Sequence, residues 1–302
     1  MREKILLFTL GLLSRLPLRF AHGAGALAGR LFCLFPNRER ETAATNIALC
    51  LPELAPADRE RLIRRSLQEA AKTLLEMPVI WRREPDHWLK LLQQGEGMEL
   101  PGRLLQGGRG LIVLAPHLGC WEAGLHYLET LAPVTALYRP PRDPALESVM
   151  LAGRRKGGAR LVPTTGAGVR ALYQALRRNE LVTILPDQEP KQTGDKGGVF
   201  APFFGVPALT MVLIGRLVRR TGAAVVFSYA ERLPAGSGYR VHFLAAPDGI
   251  GDADPVVSAS ALNLGVEQCV RRCPEQYQWS YRRFSIRPDG APSPYLRAGT
   301  AP

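Results

Sequence analysis

His117 and Glu122 are the residue types in this chain best suited to chemistry. An imidazole followed five positions later by a carboxylate can supply a general base and the acid that orients it. They follow a short apolar run, Leu111 to Ala115, that stops at Pro116. Within one helix this spacing would set the two side chains about 140° apart. They converge only if His117 sits in a turn and Glu122 in the first turn of the next helix. Glu122 would then accept a bond from one ring nitrogen, leaving the other to take a proton from a substrate hydroxyl.

That arrangement requires a strand ending at His117, and the pattern around it is strand alternating with helix. Candidate strands are 111–115, 134–138, 160–163, 181–185, 224–229 and 239–244; helical stretches fall near 121–131, 144–156, 167–178, 208–220 and 256–272. Earlier helices are expected over 56–76 and 86–94. Continuous apolar strands separated by helices predict an α/β fold with a mostly parallel central sheet flanked by helices. Ligands in such sheets bind beyond the carboxyl ends of the strands, where His117 would lie.

The chain has 302 residues, 46% of them hydrophobic, enough for one large domain. Its net charge of +12 points to an anionic surface or ligand without choosing among nucleic acid, lipid and acidic protein. Five cysteines without a C-x-x-C pair argue against a disulfide framework. Cys269 and Cys273 could form half a metal site, but the other half is missing, and plain burial is expected. Residues 1–35 are apolar but interrupted by Ser14, Arg15, Pro17, Arg19, His22 and Arg30. They are read as a membrane-anchoring helix, either a tilted span or an interfacial segment with snorkelling arginines. An ordinary core helix is the alternative. Residues 36–288 then form the main domain and 289–302 a loose tail.

Three further clusters follow strand ends: Tyr138-Arg139-Pro140-Pro141-Arg142, Pro186-Asp187-Gln188-Glu189, and a loop containing Phe203-Phe204-Gly205. Pro274-Glu275-Gln276-Tyr277-Gln278-Trp279 stands near the C-terminus. H-x-x-x-x-E alone is weak, but with Y-R-P, D-Q, F-F-G and P-E-Q-Y-x-W in this order it is strong. The chain resembles the late acyltransferases of bacterial lipid A synthesis, of the lauroyl/myristoyl type, within the glycerolipid acyltransferase group that carries H-x-x-x-x-D/E. The resemblance extends over nearly the whole length, including Asn46 and the Leu51-Pro52 step.

The resemblance implies transfer of a fatty acyl chain from acyl carrier protein to a hydroxyl of a lipid A precursor, in particular the 3-hydroxyl of an acyl chain already attached. In that reaction His117 deprotonates the attacking alcohol and Glu122 fixes its tautomer. Arg139 matches the family's catalytic arginine and faces the oxyanion or a substrate phosphate, with Arg142 a weaker candidate. Asp187 and Gln188 hold the acceptor or support the arginine. Phe203 and Phe204 form core, turn and a wall of the acyl channel, whereas Tyr277 and Trp279 pack the last elements onto the sheet. No metal or cofactor is needed, because a thioester is already activated. The implied partners are acyl carrier protein, a phosphorylated glycolipid acceptor and inner-membrane lipids, with no nucleic acid. The implied location is the bacterial inner membrane, with the catalytic domain on the cytoplasmic side.

Rival readings stand beside this one. An acyltransferase on another lyso- or amino-lipid shares the chemistry and is separated by product analysis. A thioesterase with Cys120 as nucleophile and His117 as base would form an acyl-cysteine, but Gly119-Cys120-Trp121 lacks the G-x-[SC]-x-G elbow. A non-enzymatic, membrane-bound basic protein would bind lipid or nucleic acid in a salt-dependent way; no nucleic-acid-binding signature supports it.

Overall fold

The computed structural model describes residues 2–141, 143–191, 193–194 and 197–296. Four helices open the chain: α1 (Arg2–Leu13), α2 (Leu18–Phe32), α3 (Arg38–Cys50) and the long α4 (Pro56–Arg82). A short α5 (Pro85–Leu89), strand β1 (Leu92–Gln94) and α6 (Leu100–Leu105) lead to β2 (Leu111–Leu114). Next come α7 (Trp121–Leu128), β3 (Val134–Tyr138), α8 (Pro144–Arg154), β4 (Arg160–Pro163), α9 (Gly166–Arg177) and β5 (Leu181–Ile184). The hairpin β6 (Gly198–Phe203) and β7 (Val206–Met211) precedes α10 (Leu213–Thr221), β8 (Ala224–Arg232), β9 (Tyr239–Ala245) and α11 (Pro255–Val270).

Seven strands form one sheet in the order β1-β9-β8-β2-β5-β3-β4. Strands β8, β2, β5, β3 and β4 are parallel. β9 reverses against β8, and β1 follows β9. Period-two alternation sends side chains from each central strand into two cores, one on each face. Ile112, Leu114, Val182 and Ile184 face a core shared with α9, α10 and α11. Leu111, Val113 and Leu181 face the other, shared with α7 and α8. All four residues of β2 and of β5 are buried, as central parallel strands require.

The N-terminal segment departs from a single spanning helix. Pro17, which lacks an amide donor, separates α1 of 12 residues from α2 of 15, and no helix among the described residues is long and apolar enough to cross a membrane. One stripe of α2 (Leu18, Ala21, His22, Gly25, Gly29) is buried. A Cβ on Gly25 or Gly29 would fall within 2.7 Å of the α4 backbone, so the two helices meet nearly backbone to backbone. The opposite stripe leaves Phe20, Leu27 and Leu31 exposed.

Two further expectations are corrected. The helix expected over 86–94 ends at Leu89, and 92–94 pairs with β9 as an edge strand. The helix expected over 208–220 begins only at Leu213, because Val206–Met211 pairs with β6 across a turn in which Phe204 (φ 49°) and Gly205 (φ 76°) are both left-handed. Within the segment expected as a loose tail, the Tyr295 hydroxyl donates to Asn46 and accepts from the Phe284 amide.

Candidate active site

β2 and β5 lie side by side in register, Leu111 against Leu181 through Leu114 against Ile184. The Ala115 amide extends the ladder by donating to the Ile184 carbonyl. Each strand then runs through one more residue into a proline, and each proline is followed by a functional group, His117 or Asp187. The strand pairing offset of 70 residues is also the separation of these two. Parallel pairing therefore delivers them to the same place at the carboxyl edge of the sheet.

His117 Nδ1 donates to Asp187 Oδ1 at 2.8 Å, and the His117 amide donates to Asp187 Oδ2 at 3.0 Å. Burial alone would raise the Asp187 pKa; attraction to the imidazole and these hydrogen bonds outweigh it and hold the carboxyl below its ordinary value. With Nδ1 carrying the proton, Nε2 presents its lone pair. The Gln188 carboxamide meets that lone pair at 3.2 Å and extends toward Gln278 Oε1 at 3.4 Å. Trp121 sets its ring edgewise to the imidazole, with centroids 5.1 Å apart.

The C-terminal motif closes the other side of the loop. Leu118 bridges to Tyr277, the Gly119 amide donates to the Gln276 carbonyl, and the Gln278 amide donates to the His117 carbonyl. Buried Asn46, on α3, holds this segment by donating to the Trp279 and Tyr281 carbonyls. Burial, and after it the nearby Asp187 charge, push the Tyr277 phenol far above its ordinary pKa. The P-E-Q-Y-x-W segment thus packs the fold and also encloses the dyad. Gln278 went unnoticed in the sequence because nothing local distinguishes its side chain from that of a surface glutamine.

Glu122 does not carry the orienting bond expected of it. Its carboxylate is taken by Arg154 of α8, with Nη2 2.5 Å and Nε 2.9 Å away; Glu122 is buried and Arg154 largely so. Burial opposes ionisation of Glu122, yet the Arg154 charge and hydrogen bonds keep its pKa below the ordinary value. The physical reason for the correction is topological. His117 leaves along the sheet edge and meets the next strand, whereas α7 turns Glu122 toward α8. Arg154 is the residue that the sequence reading missed here.

Glu122 and Arg154 also line a narrow cavity of about 40 Å³. Ala115, Trp121, Gly124, Leu125, Leu128, Ala136, Leu137 and Leu185 supply its apolar wall. Ala115 and Leu185, the residues that follow β2 and β5, are part of its lining. Phe203 and Phe204 are not part of this wall: Phe203 is core, and Phe204 lines a separate cavity of about 340 Å³ with Leu51, Leu62 and Arg271. Arg139 follows β3, the strand beyond β5, and is exposed with no hydrogen-bond or ionic partner among the described residues. Arg142 lies outside the described residues.

Cys120 is buried, and desolvation, with Glu76 nearby, drives its thiol pKa well above the ordinary value, opposite to what a thiolate nucleophile needs. Among the described residues no group of three His, Cys, Asp or Glu side chains could hold a metal ion.

A family model described as bacterial lipid A biosynthesis acyltransferase matches residues 4–285. The chain is 28% identical over 287 residues to a lipid A biosynthesis lauroyltransferase of Escherichia coli (strain K12), a match spanning 95% of this chain and 92% of that protein. It is 30% identical over 273 residues to a palmitoleoyltransferase of the same organism, covering 90% and 87%. A myristoyltransferase of that organism is 26% identical over 283 residues, covering 92% and 84%.

Proposed function

Because the chain belongs to the bacterial lipid A biosynthesis acyltransferases, we propose that its dyad transfers an acyl chain from acyl carrier protein to a hydroxyl of a phosphorylated lipid A precursor. The observation that carries this reading is the imidazole fixed by Asp187, with Nε2 met by a displaceable amide, its ring set against Trp121, which in turn lines the cavity.

The acceptor hydroxyl takes the place of the Gln188 amide at Nε2. As its oxygen attacks the thioester carbonyl, the proton passes to His117, and Asp187 stabilises the imidazolium that forms. The carbon–sulfur bond of the tetrahedral adduct then breaks. The departing thiolate recovers the proton from His117, and the new ester leaves with the acceptor. Arg139, exposed beyond β3, supplies positive charge to the oxyanion or to an acceptor phosphate. The acyl chain enters the cavity beneath α7, whose side chains move apart to admit it.

The exposed apolar stripe of α2, continued by Leu34 and Phe35 and joined by Phe8 and Leu12 of α1, rests in the bilayer interface. That contact supports a location on the inner membrane, facing the cytoplasm, where both the carrier and the lipid acceptor would be met. The basic surface steers the acidic carrier protein.

The test is incubation of purified enzyme with acyl carrier protein thioester and lipid A precursor, followed by mass spectrometry of lipid and protein. Transfer to the lipid, retained by Cys120→Ala, is the expected outcome. An acyl-Cys120 adduct, or release of free fatty acid with no acylated lipid, would overturn the proposal.

A further inference from the structure

Below the catalytic loop lies a buried charge cluster that the transfer steps above do not use. Arg232, the last residue of β8, is 4% exposed. Its Nε lies 2.9 Å from both Glu76 carboxylate oxygens, and its Nη2 donates to Glu76 Oε1 at 2.5 Å and to Thr73 Oγ1 at 2.6 Å. Nη1 reaches Glu69 Oε2 at 3.2 Å. Glu76, fully buried on α4, is also met by His22 Nε2 of α2 at 2.8 Å and by the Tyr239 hydroxyl at 3.1 Å.

One contact leaves this cluster and enters the active-site loop: Arg232 Nη2 donates to the Gly119 carbonyl at 2.8 Å. Gly119 is two residues from His117 and adopts φ 61°; a Cβ there would lie 2.1 Å from the Ala230 carbonyl oxygen, so the position demands glycine. The Arg232 backbone is itself gripped at both polar groups by the Gln276 side chain. Through its guanidinium and its backbone, Arg232 thus ties together α4, the turn that aims His117 and the C-terminal motif. A buried ion pair is weak evidence for stability, since apolar replacements of similar volume are often as stable. Its placement on the catalytic loop therefore calls for another account.

We infer that Arg232 is a positioning residue for proton transfer, clamped by Glu76 and holding the Gly119 carbonyl so that His117 stays aligned, with His22 extending the clamp to α2. This rests on His117 being the base. Arg232 never touches substrate; it acts through the loop. Lysine can oppose Glu76, but a single ammonium cannot reproduce the planar fork that also reaches Thr73 and Gly119.

The test measures kcat, KM for the acyl donor and melting temperature for full-length Arg232→Lys, Thr73→Val, His22→Leu, His22→Gln and His117→Ala. Loss of alignment by a fraction of an ångström to an ångström is expected to lower kcat of Arg232→Lys by roughly 10- to 100-fold while KM stays nearly constant. Thr73→Val and His22→Leu should lose about threefold, and His22→Gln, which keeps a donor for Glu76, should recover most of that. A merely structural cluster would lower the melting temperature and leave kcat per folded molecule unchanged, and that result would overturn the inference. If Arg232→Lys does not fold, unchanged kcat in both Thr73→Val and His22→Leu overturns it instead. Activity in His117→Ala would reject the base itself, whereas an inactive His117→Ala beside a fully active Arg232→Lys rejects only the clamp.

Discussion

The two ends of the H-x-x-x-x-E motif have different surroundings. His117 stands just beyond a strand end, partly buried, partnered by a carboxylate that follows the neighbouring strand, with its second nitrogen met by the Gln188 amide. Glu122 is buried in the first turn of α7 and paired with Arg154. The first arrangement is poised to exchange a proton, and the second is built to stay charged. Closeness in sequence brings two residues to one neighbourhood; the elements that carry them decide which partners they meet.

Removing each end should therefore have a different signature. His117→Ala is expected to lower transfer by about 10²- to 10⁴-fold or more while leaving the thermal transition almost unmoved, because the base contributes little to the core. Assay of the purified variant beside its melting curve checks both halves. Arg154→Met should instead cost about 3 to 5 kcal/mol of stability by stranding the buried Glu122 charge, and Glu122→Leu combined with Arg154→Met should restore most of it. Urea titrations of the single and double variants read this; equal stabilities would erase the contrast.

Acid sharpens the same comparison. Asp187 and Glu122 are both held below their ordinary pKa in the folded protein. A depressed carboxyl contributes stability that is fully present above its unfolded value, about 4, and is lost as pH falls through the folded value. Stability should drop below about pH 4, and the Glu122→Leu/Arg154→Met double variant should lose less of it. Melting temperatures at neutral and acid pH decide. A smaller effect is expected at Gly124, which lines the cavity and would accept a methyl 3.8 Å from Ala230 Cβ without a clash. Gly124→Ala should add about 0.5 to 1 kcal/mol of helix stability. It should also weigh against the longest acyl donors by about 1 kcal/mol, read as a changed product ratio with mixed donors; an unchanged ratio would take the acyl chain out of this cavity.

The parallel core strands were legible because Leu111–Leu114 and Leu181–Ile184 are short continuous apolar runs bounded by breakers. The Asp187 partnership was legible too, in a signal that lay unused: L-I-V-L-A-P-H and L-V-T-I-L-P-D place His and Asp at the same step beyond matching strands. It becomes decisive only once β2 and β5 are known to be neighbours, which is a property of strand order. The β6–β7 hairpin was hidden because apolar residues around 208–213 fit helical and strand spacing alike. The strained Phe204-Gly205 turn that settles the matter is set by tertiary packing, with the Phe204 amide donating to Glu267 of α11. The Arg154 and Arg232 pairs join residues far apart in the chain, where no local pattern marks them.

The most direct test of the account compares kcat for Asp187→Asn with kcat for Glu122→Gln, each normalised to folded enzyme. Asp187→Asn should lose about 10³- to 10⁴-fold, since the imidazole loses both its tautomer and its counter-charge. Glu122→Gln should act chiefly on stability, through the orphaned Arg154. A nearly normal Asp187→Asn beside an inactive, folded Glu122→Gln would contradict the assignment and return the orienting role to the acid within the motif.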